Sequence, residues 1–183
     1  FKYAMAKGFT SSNPMLMVAI DKSKLTHRQK EADDREPFTY REYLDVLHQA
    51  PYFYRQATAL SFWTGLRLGD CCTLEWDSLT HKTVTVWTEK KDKRVVIPID
   101  HELCGGEKLR RVLSEIEVVD ETFCFPEQNQ IHRDTSKRSK ISTYYGRICQ
   151  RAGVYDKTFH CLRHSFVTRL SKAGVMLEDI GKI

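Results

Sequence analysis

Along most of this chain the apolar residues recur at helical spacing, and the period shortens to two over a single stretch. The run "FTYREYLDVLHQAP" opens with Thr39 and carries Glu42 three residues on, the pattern of a capping box, and it predicts a helix with Tyr43, Leu44 and Leu47 on its buried face. "YFYRQATALSFWTG" predicts a second helix, strongly apolar, that Gly65 ends. A short third helix is expected near 69–76, carrying Cys72, Leu74 and Trp76. The period then changes. "KTVTVWTE" (82–89) alternates Val84 and Val86 with Thr83 and Thr85, "RVVIPI" (94–99) is a second β-rich run, and "KKDK" (90–93) joins them in a hairpin with a lysine-rich tip. Helical spacing returns over 106–117. Residues 119–126 read as extended and 127–136 as a loop. Helices are predicted over 138–152 and 158–173, stopped by Gly153 and Gly174, and another begins in "MLEDIGKI". These elements make a mostly helical α+β domain with one small antiparallel sheet.

Upstream of that domain the pattern differs. Residues 1–8 look like the end of a helix stopped by Gly8, "SSNP" is turn chemistry, and 21–36 are almost wholly polar with no apolar period, which reads as a linker. The chain opens on Phe1 rather than Met, so it is expected to be part of a longer protein. Its 183 residues are enough for one full domain and a fragment of a second. No apolar run approaches the length of a membrane span, and no signal peptide opens the sequence.

Composition adds two constraints. The net charge is +5, from 29 Lys and Arg against 24 Asp and Glu, a modest excess that suits an anionic partner without establishing one. Its distribution says more: "QIHRDTSKRSKISTYYGRICQR" (130–151) crowds lysines and arginines around the single acidic residue Asp134. The six cysteines, at 71, 72, 104, 124, 149 and 161, form no C-x-x-C pair and sit in apolar or helical stretches. They read as reduced, buried thiols of a cytoplasmic protein rather than a disulfide framework.

The segment "TFHCLRHSFVTRL" (158–170) places two histidines and two arginines in one amphipathic helix. At about 100° per residue, Phe159, Leu162, Phe166, Leu170 and Ala173 share the core face. His160, His164 and Val167 point to the opposite side, and Arg163 lies near the apolar edge, half-buried, one turn from His160. Three readings compete. His160 and His164 at i, i+4 have a zinc-binding spacing, but the glutamate of H-E-x-x-H is missing and an arginine stands beside them. Arg163 could pair with a carboxylate as an ordinary structural cation. Or the arginine fork and a histidine donor could grip a phosphate.

A second unusual arginine stands in "WTGLRLGDCCTLEW". Arg67 is flanked by Leu66 and Leu68, so it is expected to be partly shielded, and Asp70 is placed to pair with it and to cap the next helix. An ordinary salt bridge at a helix junction would look the same.

Taken together, these segments resemble the tyrosine recombinases, the phage integrase family. "TGLRLGDCCTLEW" is similar to that family's first arginine motif, "HCLRH" to its H-x-L-R-H motif, and "TEKKDKRVVIPI" to its lysine hairpin, in the family's order. The resemblance covers 37–183 and implies an integrase-type catalytic domain. It also implies that 1–20 are the last helix of a preceding core-binding (SAM-like) domain and 21–36 the interdomain linker. The implied function is site-specific DNA recombination and integration. A tyrosine hydroxyl attacks a DNA phosphodiester, leaving a 3′-phosphotyrosyl link and a free 5′-hydroxyl.

By the same resemblance Arg67 and Arg163 clamp the non-bridging oxygens, His160 helps to bind the phosphate and manage the proton, and Lys90 protonates the leaving 5′ oxygen, with Lys91 the alternative. Asp70 and His164 support them. Arg133, Lys137, Arg138 and Lys140 are expected to contact the DNA backbone. No metal and no cofactor are implied, because the arginines take the place of a metal and the phosphotyrosyl bond conserves the phosphodiester. The implied partner is double-stranded DNA, bound as a homotetramer, with a monomer or weak oligomer when free, in the cytoplasm at the nucleoid and with no membrane association. The family nucleophile lies well downstream of H-x-x-R, whereas all eight tyrosines precede it. Tyr144, Tyr145 and Tyr155 match no motif, so the nucleophile is expected beyond Ile183 and this stretch alone is expected to be inactive. A non-catalytic DNA-binding regulator on the same fold, and a metal-dependent nuclease, are the rival classes.

Overall fold

The computed structural model describes residues 36–88 and 93–180. The helix end, linker and preceding domain expected over 1–35 lie outside the described residues, as does the hairpin tip with Lys90 and Lys91. The chain divides into two units between Asp34 and Arg35, and the second unit carries every described element.

Helix α1 (Tyr40–Gln49) starts as its sequence predicts. Glu42 N–H donates to Thr39 Oγ1 at 3.2 Å and Thr39 N–H donates to the Glu42 carboxylate at 2.7 Å, a closed capping box. Its buried face is one step off the prediction: Tyr43 and Val46 are buried, Leu47 is half-buried and Leu44 is 42% exposed. Helix α2 (Tyr52–Thr64) is the centre of the core, with every residue from Gln56 to Thr64 buried. Its C-terminal end is stopped by Gly65 in the left-handed region (φ 72°), whose N–H donates to Ser61 O at 2.8 Å.

The third predicted helix splits in two. Helix α3 is only Leu68–Cys72, and a 3-10 turn follows at Trp76–Ser78. Strands β1 (Thr83–Thr88) and β2 (Lys93–Pro98) pair antiparallel, with Val84 opposite Ile97 and Val86 opposite Val95. Those four face the core, as the alternation predicts for Val84 and Val86, while Trp87 (66% exposed) and Val96 face outward. After a 3-10 turn at Glu102–Cys104, helix α4 runs Glu107–Ser114, shorter than the expected 106–117. The expected extended piece before Pro126 forms one isolated bridge, Phe123 to Glu75.

The segment 127–136 is not a loop. Helix α5 occupies Pro126–Arg133, with Pro126 in its first turn, where a missing N–H costs nothing. Its buried residues include the polar Asn129 and His132, which hide any apolar period from the sequence. Helix α6 (Arg138–Arg151) and helix α7 (Phe159–Lys172) lie where predicted, and α8 (Leu177–Ile180) ends the described chain. On α7 the residues Phe159, Leu162, Phe166 and Leu170 are buried as expected, but Ala173 is exposed; Cys161 and Ser165 widen the buried face. Ser165 Oγ accepts from Phe38 N–H at 2.6 Å, fastening the start of the domain to α7. All six cysteines are free and buried. Burial pushes the Cys72 and Cys124 thiols up to about 12, so neither is a thiolate at neutral pH.

Candidate active site

The tetrapeptide Thr64–Gly65–Leu66–Arg67 builds the first half of the site from backbone geometry. Thr64 Oγ1 donates to Leu60 O at 2.6 Å, finishing α2. Gly65 is required twice over. Its φ is one that side chains rarely adopt, and a Cβ there would sit 2.6 Å from Phe166 Cδ1. Leu66 is buried. Arg67 is then the N-cap of α3, held by Asp70, whose carboxylate accepts the Arg67 N–H at 3.0 Å and faces the guanidinium at 3.8 Å. Asp70 therefore works from inside the first turn of α3, fixing the backbone of Arg67 and leaving its side chain 29% exposed.

Helix α7 supplies the second half. Arg163 Nη1 donates to Gly65 O at 2.7 Å, so the two arginines are tied to one turn of backbone. Among the described residues no hydrogen bond engages the other nitrogens of Arg163. Burial is the main cause depressing its pKa, and the charge of Arg67 pushes the same way, opposed by Asp70. Two cations held within reach of each other's field, with donors to spare, form a seat that an anion relieves. His160 lies one turn earlier on α7 and is exposed. Its ring meets that of His164 edge to face, with centroids 4.8 Å apart. Among the described residues no three His, Cys, Asp or Glu side chains gather into a metal-binding group.

A further residue comes from helix α5, which the sequence conceals. His132 is buried, and its ring lies against Gly69, where an added Cβ would meet Cε1 at 3.0 Å. Pro126 is the one sequence signal for this helix, and nothing in the sequence marks the contact. Next to it stand the expected DNA-contacting residues, all exposed. Arg133 lies over the Phe123 ring at 5.2 Å, Arg138 Nε donates to His132 O at 2.8 Å, and Lys137 pairs with Asp134 at 2.9 Å. Lys137, Arg138 and Lys140 crowd the start of α6, where the helix dipole disfavours positive charge; the first turn itself holds no acidic residue, and Asp134, just before it, pairs with Lys137.

Comparison with known proteins fits this geometry. The profile of the phage integrase family matches residues 36–183. This chain belongs to the phage integrase family. It is 24% identical over 170 residues to the integrase of Enterobacteria phage 434, covering 89% of this chain and 45% of that protein. It is 23% identical to a XerC-like tyrosine recombinase of Caldanaerobacter subterraneus, covering 100% of this chain and 55% of that one. The chain thus spans about half the length of these curated relatives. Among solved structures, a lambda integrase dimer bound to a COC′ core site superposes with a TM-score of 0.65 at 23% identity, over 94% of this chain and 49% of that one. XerA recombinase superposes with a TM-score of 0.60 at 17% identity, over 80% and 53%. The integrase fold is thereby established, mostly helical with a two-stranded antiparallel sheet.

Proposed function

We propose that the chain is the phosphate-gripping part of a tyrosine recombinase that cleaves and rejoins DNA at specific sites through a 3′-phosphotyrosyl intermediate. The observation that carries this reading is the bond from Arg163 to Gly65 O, which puts a second guanidinium beside the turn that presents Arg67. A phosphodiester under attack gains negative charge on its non-bridging oxygens. Two fixed guanidiniums stabilise that charge without reorganising. His160 donates to the same phosphate and handles the proton. His164 supports His160 through their ring contact, and Asp70 orients Arg67. The lysine of the hairpin, Lys90 or Lys91, protonates the departing 5′ oxygen. The nucleophilic tyrosine comes from outside these residues: Tyr145 is fully buried, and Tyr144 and Tyr155 precede the H-x-x-R motif.

Arg133, Lys137, Arg138 and Lys140 bind the DNA backbone without reading sequence. The crowding of Lys137, Arg138 and Lys140 at the start of α6, only partly offset by Asp134, is unfavourable for that helix and supports an anionic partner. Lambda integrase has been solved as a dimer on a core site and as a tetramer on a Holliday junction, and a tetramer on double-stranded DNA is the proposed assembly here. Among the described residues no helix is long and apolar enough to cross a membrane. The retained arginine pair favours a catalyst over a regulator that has only inherited the fold.

The test is to trap the intact protein on a nicked suicide substrate in the presence of EDTA. A covalent protein–DNA band is expected, and Arg67→Ala or Arg163→Ala abolishes it while most DNA affinity remains. Residues 1–183 alone are expected to bind DNA weakly and give no band. Normal trapping by either arginine variant would sink the assignment, and a requirement for a divalent metal would favour the nuclease.

A further inference from the structure

The Arg67 turn is short on support of its own. Helix α3 has five residues, and an isolated helix of that length is far below what its own hydrogen bonds sustain. Its two ends are tied by Cys71 N–H to Arg67 O and Thr73 N–H to Gly69 O, both at 3.0 Å, with Thr73 Oγ1 adding a bond to the same carbonyl at 3.1 Å. A side chain that must meet a phosphate within fractions of an ångström needs a backbone held from outside.

One external contact lands in the middle of that turn. Gly69 stands between the guanidinium-bearing Arg67 and the Asp70 that fixes it, and the flat face of the turn left by Gly69 is covered by the His132 ring. A Cβ at position 69 would lie 3.0 Å from His132 Cε1 and 3.1 Å from Nε2, so the ring is seated at contact distance on the glycine. His132 is only 8% exposed. Its own backbone is held in turn, because its carbonyl accepts from Arg138 Nε at 2.8 Å. A continuous chain of contacts therefore runs from the basic α5–α6 turn, through His132, into the residue next to Asp70.

We infer that His132 is a positioning residue, bracing the Arg67 turn so that the basic α5–α6 turn and the arginine pair act as one unit. The inference rests on the recombinase reading for its catalytic consequence, though not for the brace itself. The brace acts on geometry, so its loss lowers the rate of the chemical step more than it weakens DNA binding. A residue that merely filled the core would lower the folded fraction and leave the rate of each folded molecule alone.

The experiment uses the intact protein on the suicide substrate, with the first-order rate of adduct formation at saturating DNA measured separately from the dissociation constant. His132→Ala is expected to lower that rate about tenfold, with affinity little changed. His132→Phe keeps a flat ring on Gly69 and is expected to recover most of the rate. It also serves if His132→Ala does not fold. Gly69→Ala pushes on the same ring from the other side, and its effect is expected to be far from additive with His132→Ala. A second readout does not need cleavage: in 15N NMR spectra the Nε–H signal of Arg67 is expected to shift in His132→Ala, with that of Arg169 unmoved. A wild-type rate in folded His132→Ala, together with an unmoved Arg67 signal, overturns the brace. If the wild-type protein itself gives no adduct, the recombinase reading fails, and the Arg67 signal alone decides whether the brace exists.

Discussion

Arg163 and Arg169 sit on the same helix, reach toward the same end of α2, and are both half-buried, yet the structure uses them in opposite ways. Arg169 is consumed by the fold. Its Nη2 donates to Phe62 O at 2.7 Å and its Nε to Leu103 O at 3.1 Å, and its guanidinium carbon lies 4.6 Å from the Trp63 ring centroid and 4.8 Å from that of Phe62. Among the described residues Arg163 donates one bond, to Gly65 O, and stands near a second cation rather than in an aromatic box. Burial depresses the pKa of both, so burial does not separate them. What separates them is how much of the donor fork remains, and whether a like charge stands beside it. An arginine with its donors engaged holds the protein together, whereas one with donors in hand beside another arginine is the one proposed to meet an anion.

The largest expected effects break the pair apart. Arg163→Ala should lower cleavage by about 10³-fold or more if it is one of the two groups proposed to face the developing charge, while costing less folding stability than Arg169→Ala, about 1–2 kcal/mol, because one charged bond is lost and the repulsion from Arg67 is relieved. Arg169→Ala should do the reverse. It leaves two carbonyls without their charged donor and empties the space between Trp63 and Phe62, costing about 3 kcal/mol, with the rate of each folded molecule retained. Urea unfolding and suicide-substrate trapping on both variants measure the two axes. Loss of cleavage in a stably folded Arg169→Ala protein would show that the distinction is misdrawn.

A smaller effect tests the residue on which both halves of the site depend. Gly65→Ala places a methyl against the Phe166 ring in a backbone conformation that alanine resists. It should cost about 2 kcal/mol of stability. Because Gly65 O holds Arg163 and its turn leads into Arg67, cleavage should fall as well, in the protein that remains folded. Gly65 therefore joins the two axes that the arginines separate, and a variant that lost stability alone would mean the clamp tolerates a shifted turn.

How much of the molecule is legible in its sequence follows the same division. The capping box of Thr39 and Glu42, the Gly65 stop and the Val84, Val86 alternation are local, and each is readable because its cause lies within a few residues. The buried face of α1 is easily misplaced because Leu44 is the more apolar residue while Val46 has the inward phase. Helix α5 escapes a sequence reading because its buried positions include Asn129 and His132, whose burial is decided by tertiary packing. The same blindness covers Arg169 and Arg163. Both stand on α7, and which of them meets two carbonyls and which meets one depends on where α2 ends in space. The motif pattern singles out Arg67, Asp70, His160 and Arg163. The reach of Arg163 to Gly65 and the seat of His132 on Gly69 are visible only in three dimensions.

The smallest effect concerns a third engaged cation, and it is readable by pH. Lys157, just before α7, donates to Pro37 O at 2.8 Å and pairs with Glu42 at 3.3 Å. Burial alone would raise the Glu42 pKa. The bonds from Thr39 and the ammonium of Lys157 outweigh it, and the net shift is downward from the ordinary carboxylate value of 4.5. A carboxylate with a lowered folded pKa contributes stability that is complete above its unfolded pKa and drains away as pH falls through the folded one. The α1–α7 fastening should therefore be intact at neutral pH and weaken only below about 4.5. Glu42→Gln should cost about 0.5–1 kcal/mol at pH 7, allowing for solvent screening of a partly exposed pair and for the weakened cap, and the cost should shrink toward zero as the pH is lowered. Urea unfolding of both proteins at neutral pH and at successively lower values tracks that convergence. A difference that stayed constant across the range would show that Glu42 acts through packing or neutral hydrogen bonding rather than through its charge on Lys157.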